Sequence, residues 1–257
     1  MKALCILSWK SHKILDKTLK TYAENNLFDF FDEVVVFLQE ATQDDIAIAK
    51  KYNLSYLVTK KNIGIDGAWR KILTALKSQF VLMLEDDCPL IENNNAIKVQ
   101  LKIAEELLKT NRVNIVRLRS IEYPGDKFNT IDKYRYYFCN SLGWIKRIFR
   151  PLKAARLIGS AIYSISNPDE KHPNEIKRHN QHCYITNSSH LNWTNQSVMF
   201  NKNFVLHVLL ERVRTHPSSR TLNGFQDIER ALNCSWWRKS KFPIAVCTGL
   251  FTHRRVL

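Results

Sequence analysis

Three carboxylates stand in a row at Glu85-Asp86-Asp87, directly after the apolar run Phe80-Val81-Leu82-Met83-Leu84. The apolar run reads as a strand buried on both faces, so the carboxylates fall at its C-terminal end. Adjacent like charges repel, and a hard cation relieves the repulsion. Carboxylate oxygens suit Mg²⁺ or Mn²⁺. Such a cation can bridge the two phosphates of a nucleoside diphosphate and stabilise it as a leaving group. The same run can also serve as a solvated acidic loop or as the cap of a following helix, and position alone leaves both readings open.

Chemistry at a strand end needs a sheet to hold it. Residues 3–8, 33–38, 54–59 and 80–84 have strand patterns. Helix-spaced apolar positions lie between them over residues 13–25, 43–52 and 67–78. Strands separated by helices of this length predict right-handed βαβ units and a mostly parallel sheet. Ligands of such sheets bind outside the carboxyl ends of the strands, where the acidic run falls. Beyond residue 90 the pattern is less regular. An amphipathic helix is predicted over 96–110 and a strand over 113–118, followed by charged turns across 120–190. A strand over 196–200, helices over 204–215 and 226–232, and a last strand over 244–251 complete the chain. There is no internal repeat and no low-complexity tract.

A strand running into an acidic triplet is similar to the DXD signature of GT-A glycosyltransferases, in the EDD form used by some N-acetylglucosaminyltransferases. Upstream, Asn62-Ile63-Gly64-Ile65-Asp66-Gly67-Ala68-Trp69-Arg70 resembles the family 2 pattern of Asn-x-Gly, a small residue and a helix, about 20 residues before DXD. The likeness covers residues 3–90 in order and spacing. Ser8-Trp9 stands where that family shows Pro-Thr, and Ala68-Trp69-Arg70 where it shows Ala-Arg-Asn. The resemblance implies one GT-A type α/β domain over residues 1–257, with a Rossmann-like, mostly parallel sheet flanked by helices. Residues 1–125 would form the nucleotide-sugar half and 126–257 a less regular acceptor half. It also implies that Ser8, Asn62, Gly64, Asp66, Arg70, Glu85 and Asp86 bind the donor, with Glu85 near the ribose. Asp87 would ligate Mn²⁺ or Mg²⁺. Arg70 either faces the diphosphate or lies exposed on its helix.

GT-A enzymes that invert supply a late carboxylate, which removes the acceptor's hydroxyl proton as the anomeric carbon is attacked. Gly224-Phe225-Gln226-Asp227-Ile228-Glu229-Arg230 resembles that segment, with Gln in place of its first acid. By this likeness Asp227 is the base and Glu229 the fallback. Many GT-A enzymes also give a late histidine to the metal, and His253 lies where it is expected; a neutral imidazole suits Mn²⁺. Arg254 and Arg255 either hold diphosphate charge or form a solvated tail. Asn192-Trp193-Thr194-Asn195-Gln196 is similar to the segment before the acceptor-side strand. Trp193 would stack on a sugar, and Asn195 and Gln196 would bond its hydroxyls. Trp236-Trp237 is a second aromatic platform, and both sets fit a core equally well.

Composition narrows the function classes. At 257 residues and 45% hydrophobic content the chain can bury a full core. Only seven glycines occur, with no GxxxxGKS/T or GxGxxG run, which removes the common phosphate-loop and dinucleotide fingerprints. The net charge of +15 implies an anionic partner, whether nucleotide, membrane surface or nucleic acid. The stretch from Trp144 to Ile158 interleaves five cations with apolar residues. It fits an anionic leaflet, and with it a lipid-linked acceptor, or else a core-packed helix with a charged outer face. Six scattered cysteines without a CxxC pair predict reduced thiols. No run of 18 apolar residues occurs. The expected location is cytoplasmic, peripheral on the inner face of the cell membrane. A nucleic-acid-binding protein competes on charge and on Arg117 and Arg119, yet it leaves the acidic run without a purpose. A nucleotidyltransferase competes on chemistry but lacks its Gly-rich N-terminal loop. The expectation is therefore a metal-dependent glycosyltransferase using a nucleoside-diphosphate sugar, UDP favoured. Its acceptor would be a glycan of lipopolysaccharide or capsule type.

Overall fold

The computed structural model describes residues 1–126 and 129–254. The chain opens with β1 (Lys2–Trp9), α1 (His12–Glu24), β2 (Glu33–Gln39), α2 (Gln43–Lys51), β3 (Ser55–Thr59), α3 (Gly64–Ala75) and β4 (Phe80–Glu85). Next come α4 (Asn94–Lys109), β5 (Ile115–Arg119), α5 (Asn129–Phe138), α6 (Gly143–Phe149), α7 (Pro151–Ala155), α8 (Pro168–Lys171), β6 (Lys177–Asn180), β7 (Cys183–Asn187) and β8 (Val198–Asn201). The chain continues with α9 (Lys202–Phe204), α10 (Leu210–Thr215), β9 (Thr221–Leu222), β10 (Phe225–Gln226), α11 (Ile228–Leu232), α12 (Ser235–Ser240) and β11 (Pro243–Phe251).

Nine strands form one sheet in the order β3-β2-β1-β4-β8-β5-β11-β7-β6. β1 to β4 are parallel, as the alternating pattern predicts. β8 is antiparallel between β4 and β5, and β11 runs parallel to β5 and antiparallel to β7. Strand alternation feeds two cores. Ala3, Cys5 and Leu7 of β1 join the cluster with Trp69, Ile72 and Phe200, whereas Leu4 and Ile6 join Leu15, Leu19, Leu101 and Leu108 on the other face. This is why a continuous apolar run, rather than an alternating one, marks β1 and β4.

Three features of this frame set up the site. β8 starts opposite the end of β4, because Val198 pairs with Met83 antiparallel. The residues leading into β8 therefore arrive beside the acidic run. Asn62 Oδ1 accepts a 2.7 Å bond from Gly64 N, which turns the chain into α3 with Gly64 at φ +70°. In β11 the register with β5 shifts between Val246 and Phe251. Gly249 sits there at φ +97°, clamped by Gln100, whose side chain bonds its N at 2.8 Å and its O at 3.0 Å. The shift is a β-bulge that re-aims the end of the strand. Thr252 N then bonds Pro89 O and Arg254 N bonds Asp87 O, which brings residue 253 beneath β4.

The differences from the sequence reading have local causes. The hairpin of β6 and β7 lies within the region read as charged turns, because β6 is the polar edge strand Lys-Arg-His-Asn. The basic stretch from Trp144 to Ile158 is divided at its proline: the backbone leaves helical geometry at Arg150, φ −136°, and Pro151 opens α7 at the position proline prefers. The helix read from residue 226 begins only at Ile228, because Phe225 and Gln226 pair with β9. All six cysteines are free thiols. No helix among the described residues is long and apolar enough to cross a membrane. Arg255 lies outside the described residues.

Candidate active site

The end of β4 divides its three carboxylates between two environments. Asp86 N bonds Leu7 O at 3.0 Å, prolonging the β1–β4 pairing. The Asp86 carboxylate accepts a bond from the Ser11 hydroxyl, Thr18 Oγ1 bonds its carbonyl at 2.6 Å, and Ser8 bonds Ser11 at 3.1 Å. Ser8 and Asp86 are thus joined to the start of α1. Burial pushes the Asp86 carboxyl up to about 6, against the Ser11 and Ser8 hydroxyls that favour its charged form.

Glu85 and Asp87 form the other environment with His253, their ligand atoms all lying within 4.8 Å of one another. His253 Nε2 is 3.1 Å from Asp87 Oδ2, and both residues are buried. His253 Nδ1 is 3.2 Å from the Asp126 carbonyl. A carbonyl only accepts, so Nδ1 carries the hydrogen and a neutral ring turns the lone pair of Nε2 toward the Asp87 carboxylate. Two acceptors facing each other require either a second ring proton or a cation between them. Burial pulls the His253 pKa down, but the bond to Asp87 and its charge outweigh this and leave it raised. Burial, then the charges of Asp87 and Glu229, push the Glu85 carboxyl up to about 8. Glu85 and His253 both hold protons more tightly than usual, and a cation bound there would compete with those protons.

A cleft of about 270 Å³ opens beside it, lined by Trp9, Gln39, Asn62, Gly64, Glu85, Asn195, Gln196, Asp227 and Glu229 among others. The far wall is the hairpin of β9 and β10 with α11. Asn223 and Gly224 turn the hairpin with φ of +51° and +81°, the two-residue turn that matches strand twist. Asp227 then caps α11, accepting 2.9 Å from Glu229 N, and pairs with Arg230 Nε at 3.2 Å. Glu229 Oε1 accepts 2.9 Å from Asn195 N. Burial raises the Glu229 pKa, opposed by its bonds from Asn195 and Thr194. A Cβ on Gly64 would fall 2.5 Å from Phe225 Cβ, so the two walls touch at this glycine.

Not every sequence candidate reaches the cleft. Asp66 and Arg70 pair with each other at 3.0 Å, and Arg70 donates to the Leu210 carbonyl, so the pair ties α3 to α10. Trp193 is buried between Trp69 and Trp237, and its indole N–H bonds Asn195 Oδ1 at 2.8 Å, which makes it core rather than an open sugar platform. Trp237 is fully buried, and Trp236 packs under Arg212. Arg117 and Arg119 are a correction of another kind. Read as part of a basic surface, they are buried on β5. Arg117 donates to the Asn192 carbonyl, and Arg119 bonds Gln196 Oε1 at 2.7 Å and Asp126 O at 3.0 Å. They line a second pocket of about 200 Å³ with Asn129, Thr130, Asn233 and Glu229, which shares Gln196 and Glu229 with the cleft as walls. The signal was present: cations at i and i+2 in an apolar strand share one face.

No family model matches the chain, and no curated protein matches it by sequence. Solved structures do. S. aureus TarS in complex with UDP-GlcNAc is similar over 100% of this chain and 59% of its own, at 13% identity and a TM-score of 0.53. Glucosyl-3-phosphoglycerate synthase from Mycobacterium tuberculosis, in complex with Mn²⁺, UDP and glucosyl-3-phosphoglycerate, is similar over 100% of this chain and 73% of its own. There the identity is 11% and the TM-score 0.51. The chain thus spans about three fifths of the TarS structure. At these identities the likeness is one of architecture, and with the strand order above it shows that this chain has the GT-A glycosyltransferase fold.

Proposed function

We propose that this chain is a metal-dependent glycosyltransferase that moves a sugar from a nucleoside-diphosphate sugar, UDP favoured, to a glycan hydroxyl with inversion. One observation carries the reading: Glu85, Asp87 and His253 converge at the carboxyl end of β4, on a cleft whose far wall presents Asp227 and Glu229. Two carboxylates and an imidazole whose other nitrogen is tied to a carbonyl suit Mn²⁺ or Mg²⁺. Bound there, a divalent cation would supply charge neutralisation for the departing diphosphate. The TarS structure holds UDP-GlcNAc, and the glucosyl-3-phosphoglycerate synthase structure holds Mn²⁺ and UDP, which supports the same donor class here.

In this reading Trp9, Gln39, Asn62 and Gly64 border the nucleotide. Asp227 takes the acceptor hydroxyl proton as that oxygen bonds the anomeric carbon. The carbon–diphosphate bond breaks, and its electron pair leaves with the diphosphate. The helix cap and Arg230 hold the Asp227 carboxylate in one orientation, which is what an in-line attack requires. Glu229 is the second reading for the base, favoured by its raised proton affinity. Asp66, Arg70 and Trp193 act as supports. The acceptor end is the arginine-floored pocket beside Asn195 and Gln196. For the acceptor we infer a surface glycan of lipopolysaccharide or capsule type, met on the cytoplasmic face of the membrane; the +15 charge supports an anionic setting.

The test is thermal. UDP with Mn²⁺ at about a hundredfold excess over Kd contributes about 2.7 kcal/mol, which raises Tm by roughly 5–10 °C for a chain of this size. Asp87→Ala should abolish that rise. A Tm unmoved by Mn²⁺ with every nucleoside diphosphate tried would end the reading.

A further inference from the structure

Residues 133–168 contain seven cations and no carboxylate. Most exposed large hydrophobic residues in the chain occur singly, as surface residues normally do. On α6, α7 and the turn before them they cluster: Leu142, Trp144, Ile148, Phe149 and Leu152 are 53–80% exposed. Beside this ridge, between α5 and the α6–α7 pair, runs a groove of about 420 Å³ lined by Lys133, Lys146, Arg150 and Lys153. Its floor is aromatic. Lys146 Nζ stands 3.5 Å from the Tyr136 ring centroid and Lys153 Nζ 5.6 Å from that of Tyr137.

We propose that α5–α7 form a docking surface for an anionic bilayer, in which the apolar ridge enters the headgroup boundary and the basic groove takes a lipid phosphate. The composition selects this occupant. A nucleic acid would use the cations but leave five large apolar side chains in water. A second copy of the chain would set seven cations against seven, which opposes association. An anionic leaflet satisfies both halves of the surface, as interfacial amphipathic helices do. The break at Arg150 and Pro151 divides the segment into two short helices, and both present exposed apolar side chains.

The surface is also placed to serve the cleft. Asn129 and Thr130, at the start of α5, line the pocket of Arg117 and Glu229, while Lys133, Tyr136 and Tyr137 line the groove. The ten residues of α5 span about 15 Å. One helix thus joins the lipid-facing groove to the acceptor pocket, so a lipid-linked acceptor could meet the base without leaving the membrane. That last step rests on the glycosyltransferase reading; the docking does not.

Co-sedimentation with phosphatidylcholine vesicles, with and without phosphatidylglycerol, tests it. The protein should sediment with the phosphatidylglycerol vesicles and be released by high salt. The Ile148→Glu/Phe149→Glu variant should bind them at least about tenfold more weakly. Lys146→Gln/Arg150→Gln/Lys153→Gln should lose the preference for the anionic lipid. All three proteins should keep the Tm rise with UDP and Mn²⁺, so docking and donor binding fail separately. Absence of wild-type binding, or unchanged binding by the Glu variant, overturns the proposal. So does a wild-type dimer that the Glu variant makes monomeric without any vesicle binding.

Discussion

The two walls of the cleft are built in opposite ways. The β4 wall is a strand end, fixed by pairing with β1 and by the bond from Arg254 N to Asp87 O, and burial followed by neighbouring charge raises the pKa of its Glu85. The α11 wall is a hairpin with a two-residue turn and a five-residue helix; Asp227 is held by local bonds from Glu229 N and Arg230, and Glu229 by Asn195 N from the segment before β8. Burial raises the proton affinity of Glu85 on one wall and of Glu229 on the other, but Glu229 has backbone and hydroxyl donors that Glu85's neighbours, Asp87 and Asp86, do not offer. That division suits a cation site facing a proton acceptor. The first must be short of positive charge, and the second must hold one orientation.

The sharpest way to break the comparison is Asp227→Asn. Turnover should fall by about 10²–10⁴, with the Tm rise from UDP and Mn²⁺ intact. Equal loss of donor binding would move Asp227 to the metal wall, and a larger loss in Glu229→Gln would exchange the two roles. A smaller effect is expected where the walls meet. Gly64→Ala puts a Cβ against Phe225 at a positive φ, and overpacking of this kind costs about 1–3 kcal/mol. Phe225→Ala in the same chain should restore part of it in a double-mutant cycle; strict additivity would mean the walls are independent. The smallest effect is Glu85→Gln. Because its folded pKa, about 8, lies above the usual 4.5, Glu85 favours the fold at low pH and loses that contribution as pH rises through 8. The metal-free Tm should therefore fall across that window in the wild type and less in the variant. At pH 9 the variant should melt roughly 2–4 °C higher for about 1 kcal/mol, with a smaller rise on adding Mn²⁺. A lower Tm would show that burial and neighbouring charge do not disfavour the Glu85 carboxylate.

Much of the first wall was legible because it is local. An apolar run followed by acids is read within eight residues, and the alternation of strands and helices over residues 1–90 gives the parallel order. Asn62 and Gly64 are legible for the same reason, since their bond spans two positions. What the sequence hid lies in partners far along the chain. Arg70 finds Leu210, Arg117 finds Asn192, and Trp193 packs on Trp69. Nothing local tells a core tryptophan from a sugar platform, and for Arg117 and Arg119 the only local sign is their shared face in an apolar strand. β6 and β7 were hidden for a different reason. β6 is polar because it is an edge, so it lacks the apolar signal that marks a strand.

The bulge at Gly249 has a consequence in time. β11 inserts between β5 and β7, pairing with residues more than a hundred and about sixty positions earlier, and only then does it deliver His253. Pairings of such sequence separation carry a large loop-closure cost, as does that of β8 with β4. A nascent chain that has assembled β1 to β5 and β8 already holds Glu85 and Asp87 but has no imidazole to set beside them. In the metal-dependent reading, the ion site is therefore complete only once β11 is in place. A ligand that binds only the completed sheet draws the equilibrium toward it. In that reading a bound ion would act as a latch on topology, holding β11 in the sheet.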